Sequence, residues 1–425
     1  MPSPAVVMNM FYTGIGIARS LGERGIPVIG LTSKQIYGNY TRYADVRRSP
    51  DSREEPEQLL AFLFGLGKEL TSRAVIFPTR DDDVIFLDHH RGPLGRYFDL
   101  AVPRTEVVAA CLDKWETYLW ATRAGVDTPR CWVIQTPEDL SRVARTITYP
   151  CVMKPLSSHL WRQGNNWEQV GARKAVRIDS VDVLFGEYRR ISQADPRVLI
   201  QELVPGGDDQ LFVAGCYLDA NSTLVAAFTA RKLVQIPAGF GTGCIVETVN
   251  RPELIEPAAK LLRHMGFTGI AEVEFKWHAG DRSYKLIEVN PRPWDQHSLG
   301  RVSGVDLIHF AYCEYAGMPR PTAGTAEPGR KWIAEDAFLM AALRMLWTQD
   351  SNLRELFALA RGKRLYAIWS SRDKRPFLMY LSRVIPQLAW TGLRRIAAAV
   401  GRRFPRDLHH VSKGELHDAK IKDAH

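Results

Sequence analysis

Six cysteines lie scattered through the 425 residues, at positions 111, 131, 151, 216, 244 and 313, and no CxxC pair occurs. That pattern excludes a thiolate zinc knuckle and is expected of reduced thiols in a cytoplasm. A secretory leader is not expected either. The opening MPSPAVVMNM has no basic start, and Pro2, Pro4 and Asn9 interrupt its apolar run. The main body also lacks net charge. Residues 330–425 hold 19 Lys and Arg against 9 Asp and Glu, leaving 37 against 38 in residues 1–329, so the formal +9 belongs to the tail. A nucleic-acid binder that is cationic throughout is thereby excluded. Long uncharged hydrophobic runs are missing from the tail, which excludes a bilayer span there. No internal repeat is visible.

What is present suits two or three packed units, since 45% of the residues are hydrophobic. AVVMNM reads as a short buried strand. FYTGIGIARSLGERGIPVIGL reads as a glycine loop, an amphipathic helix ending at Gly25, and a second strand. RAVIFPT (73–79) is a third strand. Strands alternating with a helix predict a parallel sheet. Gly14-Ile15-Gly16 has no third glycine at the dinucleotide spacing, so it reads as a tight turn into a helix. Residues 103–125 read as one or two helices. Strand signals follow at CWVI, CVMKPL (151–156), VLIQELV (198–204) and 210–234, the last a hairpin turning near Asp219-Ala220-Asn221. A helix over PELIEPAAKLLRHMG leads to a strand at IAEVEFKW (270–277).

The most informative stretch is KLIEVNPRPW (285–294). Glu288, Asn290 and Arg292 stand two apart, so on a strand they share one face. If the hairpin turn centres near Gly280-Asp281, Glu274 lies beside Glu288 and Glu272 beside Asn290. Like charges side by side in a sheet repel. Carboxylates and an amide oxygen so crowded suit Mg²⁺, an oxygen-ligand ion that completes its shell with water and phosphate. Arg292, one step further, is placed to meet a transferring phosphoryl group. Lys154 in CVMKP and Lys114 in CLDKWET are the candidate phosphate cations. LIQELVPGGDDQ offers a slot for a nucleotide base: backbone groups at Leu203 and Val204, an acceptor at Glu202, and Asp208 and Asp209 for ribose hydroxyls.

In this order and at these intervals, CLDKWET, VMKP, IQELVPGGDDQ, AEVEFK and KLIEVNPRPW resemble the ATP-grasp superfamily. Within it they look like the carboxylate–amine ligases, including the D-aspartate ligase-like branch. The resemblance covers about residues 1–320. It implies an α/β fold, with an N-terminal Rossmann-like parallel-sheet domain (1–104) and a two-lobed ATP-grasp domain (105–325, lobes about 105–195 and 196–325); beyond the resemblance, charge and helical spacing predict a basic helical C-terminal extension (326–425). The resemblance implies ATP as substrate and Mg²⁺ or Mn²⁺ as metal. Lys114 and Lys154 would touch the phosphates, Glu202, Leu203 and Val204 would form the adenine hinge, and Asp209 would meet the ribose. Glu274, Glu288 and Asn290 would hold metal, with Glu272 the less favoured carboxylate, and Arg292 would stabilise an acyl phosphate. The implied activity is amide or peptide bond formation between a small-molecule carboxylate and an amine, releasing ADP and phosphate. Other ATP-grasp chemistry, such as carboxylation, and a non-catalytic nucleotide-binding regulator are the alternatives; no biotin-carrier segment is seen. One departure is the segment after Lys154, LSSHLWRQGNN. It has a single glycine where such families often carry a glycine-rich lid, and Ser157, Ser158 and His159 are the candidate replacements.

Arg231, ahead of a glycine loop, is a candidate contact for a substrate carboxylate or the γ-phosphate. Asp81, Asp82 and Asp83 follow a sheet strand; helix capping is expected of them, with an acceptor amine as the other reading. Residues 375–404 alternate apolar residues with arginines at helical spacing. The face they form is expected to pack on the body or on a second subunit of a homodimer, the alternative being an anionic inner-membrane surface.

Overall fold

The computed structural model describes residues 2–385 apart from 163 and 349–351. Strands β1 (Ala5–Met8), β2 (Val28–Thr32), β3 (Asp45–Arg48), β4 (Ala74–Phe77) and β5 (Phe98–Leu100) form a parallel sheet in the order β3-β2-β1-β4-β5. AVVM and AVIF are buried at every residue, as a sheet covered on both faces requires. The expected glycine loop after β1 is instead part of the helix Tyr12–Gly22. The glycines there serve close packing. A Cβ on Gly14 would lie 2.1 Å from the Asn9 carbonyl oxygen, and one on Gly16 would lie 2.7 Å from the His297 ring.

A second, antiparallel sheet holds β6 (Cys131–Ile134), β7 (Cys151–Pro155), β8 (Val176–Ile178) and β9 (Val198–Glu202), in the order β6-β9-β7-β8. β9 thus belongs with the strands before it, whereas the boundary expected from the sequence, near 195, falls ahead of it. Its residues Val198 and Ile200 fill the same core as Met153 and Ile178.

The third sheet has seven strands: β10 (Leu211–Leu218), β11 (Leu224–Ile236), β12 (Thr242–Val249), β13 (Gly269–His278), β14 (Ser283–Asn290), β15 (Arg330–Ile333) and β16 (Lys363–Tyr366). Their order is β14-β13-β10-β11-β12-β15-β16. Alternation sorts one face, with Phe212, Val273, Phe275, Leu286 and Val289, into a core shared with helices Lys114–Arg123 and Ile255–Met265. The second of these helices ends at Gly266 in the left-handed region, where a residue without Cβ carries no strain. The β10–β11 turn is held by Asp219, whose carboxylate accepts from the backbone of Asn221 and Thr223.

β15 and β16 lie beyond residue 325, where a helical extension is expected from the sequence. They extend the large sheet instead, because Ile333 adds to the core of Leu233, Cys244 and Ile245. The segment after β16 reaches the first domain. Buried Asp373 accepts from Arg19 Nε at 3.0 Å, Thr41 Oγ1 at 2.7 Å and the Arg42 backbone at 3.0 Å. Arg19 also donates to the carbonyls of Ala367 and Ile368. Met1–Phe377 accordingly forms one compact unit, with a second beginning at Leu378. Residues 375–385 are helical, and the remainder of the amphipathic stretch 375–404 lies outside the described residues. Among the described residues, no helix is long and apolar enough to cross a membrane.

Candidate active site

The hairpin β13–β14 pairs Glu272 with Asn290 and Glu274 with Glu288, the register expected from the sequence, and shifts by one residue beyond Glu274. Asn290 Nδ2 donates to Glu272 Oε2 at 2.8 Å. Each of the other carboxylates has a lysine: Lys232 Nζ lies 2.6 Å from Glu274 and Lys114 Nζ lies 3.1 Å from Glu288. Burial raises the Glu272 carboxyl above its ordinary range, and the charge of Glu274 adds to this. Burial would raise Glu288 as well, but Lys114, assisted by Lys154, more than offsets it and leaves Glu288 lowered.

The cations come from several elements. Lys114 opens the helix Lys114–Arg123, whose N-cap Asp113 accepts from the Trp115 and Glu116 backbone. Its backbone N–H donates to the Leu156 carbonyl just past β7, and its Nζ donates to Ser158 Oγ at 2.9 Å. Lys154, buried near the end of β7, donates to Gln201 Oε1 at 2.8 Å. Tyr118 Oη donates to the same Gln201 oxygen and lies 2.9 Å from the Ile287 carbonyl, so one tyrosine links the two sheets. Burial lowers the Lys154 ammonium to about 8, with the neighbouring charge of Lys114 acting in the same direction.

The expected base-binding residues stand at the end of β9 and just beyond it. Glu202 exchanges hydrogen bonds with the Arg130 backbone, Leu203 is half-buried and Val204 is buried. The two aspartates that follow part ways. Asp209 is exposed, accepting only from Gln210 Nε2 among the described residues. Asp208 turns inward and accepts from the Gln235 backbone, Gln235 Nε2 and the Gly239 backbone, which fastens the loop after β11. In the segment between β7 and β8, Ser157 and His159 share a hydrogen bond of 2.7 Å, and Lys174 Nζ reaches Thr242 Oγ1 at 3.0 Å.

Arg231 lies on the face away from the site carboxylates, unlike its expected place as a substrate or γ-phosphate contact. It pairs in register with Phe212 and Glu247, and its guanidinium lies 3.5 Å from the Glu247 carboxylate. Phe212 and Phe275 occupy the helix-covered face, whereas Lys232 reaches Glu274 on the other. Successive strand residues point to opposite faces, so Lys232 and not Arg231 stands among the site carboxylates. Gln201 is a further polar residue here, signalled in the sequence only by a polar side chain on a buried strand.

Arg292 lies at the junction with the first domain. Its Nε donates to Asp81 Oδ1 at 2.7 Å and its Nη1 to the Pro293 carbonyl at 3.2 Å. Burial opposes the charge of each. The Arg292 guanidinium nevertheless holds the Asp81 carboxyl below its ordinary value, and Asp81 in turn holds Arg292 above its own. Helix capping, expected of all three aspartates, falls to Asp83, which accepts from the Thr79 and Arg80 backbone.

The donors fit a hard divalent cation, since Glu274, Glu288 and Asn290 all present oxygen. Among the described residues no group of three or more His, Cys, Asp and Glu stands together as a metal cage.

The family described as carbamoyl-phosphate synthase L chain, ATP binding domain, matches residues 242–315, which contain the hairpin and Arg292. The vancomycin/teicoplanin A-type resistance protein VanA of Enterococcus faecium is 30% identical over 205 residues, 44% of this chain and 53% of that protein. A D-aspartate ligase of Enterococcus faecium is 22% identical over 318 residues, 71% of this chain and 73% of that one. The chain thus spans about half the length of the first relative and about three quarters of the second. Among solved structures, the biotin carboxylase domain of Hydrogenobacter thermophilus 2-oxoglutarate carboxylase, complexed with MgADP, ADP and bicarbonate, superposes with a TM-score of 0.61. It is 16% identical, covering 76% of this chain and 72% of that one.

Proposed function

We propose, for a chain that is an ATP-grasp protein, that it is an ATP-dependent carboxylate–amine ligase acting on small molecules. The observation that carries the reading is the facing of Glu274, Glu288 and Asn290 on the seven-stranded sheet by Lys114 and Lys154, with Arg292 at the end of the same strand. The relatives named above support it, one being a D-aspartate ligase. In the first step a substrate carboxylate oxygen bonds to the γ-phosphorus of ATP and the β–γ bridging bond breaks, giving an acyl phosphate and ADP. In the second, an amine nitrogen bonds to the acyl carbon, phosphate leaves and the amine gives up a proton.

Lys154 and Lys114 neutralise phosphate charge in the ground state. Glu202, Leu203 and Val204 line the base slot, and Asp209 meets the ribose. Glu274, Glu288 and Asn290 would hold Mg²⁺ or Mn²⁺, which supplies charge neutralisation at the phosphates. Arg292 stabilises charge developing on the transferring group. Most of the catalysis is then positioning and electrostatics. The test is hydroxamate formation from Mg-ATP, hydroxylamine and a panel of amino acids, with ADP measured in parallel. Hydroxamate appearing with one carboxylate supports the reading. Absence with every carboxylate, while Mg-ADP still binds, would favour a nucleotide-binding regulator.

A cytoplasmic location, with residues 375–404 touching an anionic membrane surface or a second copy of the chain, belongs to the same proposal. It is supported by six free cysteines and the basic tail. Sedimentation of the chain with anionic vesicles at low salt tests the membrane part.

A further inference from the structure

The first sheet has the strand order β3-β2-β1-β4-β5, so the chain winds to one side of β1 and then returns to the other. In such sheets the crevice beyond the carboxyl ends of β1 and β4 is where ligands bind. Here the same crevice receives a piece of the chain. Thr13, after β1, donates to Asp295 Oδ1 at 2.9 Å, and its carbonyl lies 3.1 Å from His297 Nε2. Gly16, one turn on, admits the His297 ring where a Cβ would collide. Asp81, after β4, accepts from Arg292 Nε. Three contacts from two strand ends therefore hold the segment 292–297, which carries the arginine that the proposed reaction needs.

We infer that Asp81 is a positioning residue for Arg292, and that the first domain uses its switch-point crevice to mount the catalytic arginine of the third sheet. This rests on the ligase reading. The geometry of the guanidinium supports it. Asp81 holds the Nε edge and the Pro293 carbonyl holds Nη1, while Nη2 has no partner among the described residues. A planar fork pinned at two nitrogens presents the third in a fixed direction. Both side chains are largely buried, at 16% and 22% exposure, so water competes little for the contact. Asp81 lies 211 residues from Arg292 in the chain, and no local pattern couples them.

The experiment measures hydroxamate formation from Mg-ATP and hydroxylamine, using the carboxylate most active with the unaltered protein, alongside Mg-ADP binding by calorimetry. Asp81→Asn is expected to lower kcat about tenfold or more, because misplacement on the order of 1 Å costs up to about a hundredfold. The Kd for Mg-ADP should stay within about twofold, since the contact acts on the reacting group and not on ground-state nucleotide. Placed on top of Arg292→Ala, Asp81→Asn should cost nothing further, because the residue to be positioned is gone. Should Asp81→Asn not fold, Asp81→Glu stands in, with a smaller drop in kcat that again vanishes in the Arg292→Ala background. A wild-type kcat, a loss that adds in full to that of Arg292→Ala, or an equal loss of Mg-ADP affinity would each overturn the inference. Absence of hydroxamate from the unaltered protein overturns the ligase reading and this inference with it. Wild-type-like variants beside an active parent overturn the inference alone.

Discussion

The four-stranded sheet and the seven-stranded sheet meet the site with opposite charge. The first brings Lys154 on β7, and the second brings Glu272, Glu274 and Glu288 on β13 and β14. Burial acts on both and pushes each toward neutrality: Lys154 falls to about 8 and Glu272 rises. The difference between them is how the charge is compensated. Lys154 donates to a neutral amide, Gln201, whereas Glu274 and Glu288 each hold a lysine. A buried cation on a neutral partner gains most from an anionic ligand, and a crowded set of carboxylates gains most from a cation. In the proposed function the first sheet meets the polyphosphate and the second the metal ion, and Lys114, bonded to Ser158 on one side and Glu288 on the other, lies between them.

The largest test removes charge from the carboxylate side. Glu288→Gln keeps the shape and should lower turnover by about a thousandfold, the upper range for loss of an electrostatic contact to a transition state. ADP formation at the parent rate in that variant would break the comparison by removing the metal assignment.

Next comes the cationic side. Lys154→Ala should weaken Mg-ADP binding by about tenfold or more, whereas Arg292→Ala should act chiefly on kcat. Titration of Mg-ADP into each variant separates the two roles. Equal weakening in both would merge them.

A sharper contrast lies within one strand. Lys232→Ala leaves Glu274 without its ion-pair partner and should reduce activity about tenfold or more, while Arg231→Ala, on the opposite face, should stay within about threefold. Parallel kcat/KM measurements decide, and a larger effect at Arg231 would overturn the assignment of faces.

The smallest effect expected is that of pH. Lys154 has its folded-state value lowered to about 8, so it loses its proton as pH rises through that point. Mg-ADP should then bind about three- to tenfold more weakly at pH 9 than at pH 7, and Lys154→Arg, always charged, should flatten this dependence. A pH dependence unchanged in Lys154→Arg would place the titrating group elsewhere.

Much of the site was legible because a strand has a period of two and a hairpin has one register. Those rules put Glu274 beside Glu288, and Glu272 beside Asn290, from spacing alone. They fail where several orientations are equally compatible with the local sequence. Arg231 and Lys232 are adjacent cations on one strand, and only the pairing of β10 with β13 decides which of them meets Glu274. The extension after residue 325 was read from its charge, yet Ile333 and Asp373 tie it to a sheet and a helix formed far earlier in the chain.

The sequence by itself determined most strands of the site, the register of the β13–β14 hairpin and the chemical kinds of group on its polar face. These follow from periodicity, burial and turn chemistry, which act over a few residues. Only the tertiary structure decided that Asp81 would hold Arg292, that Arg19 would close on Asp373, and that Lys114 would bridge from Ser158 to Glu288. Such contacts join segments tens to hundreds of residues apart. They form because the packing of sheets and helices brings buried charges within a few ångströms, where the cost of desolvation is offset only by a partner of opposite sign or a hydrogen bond.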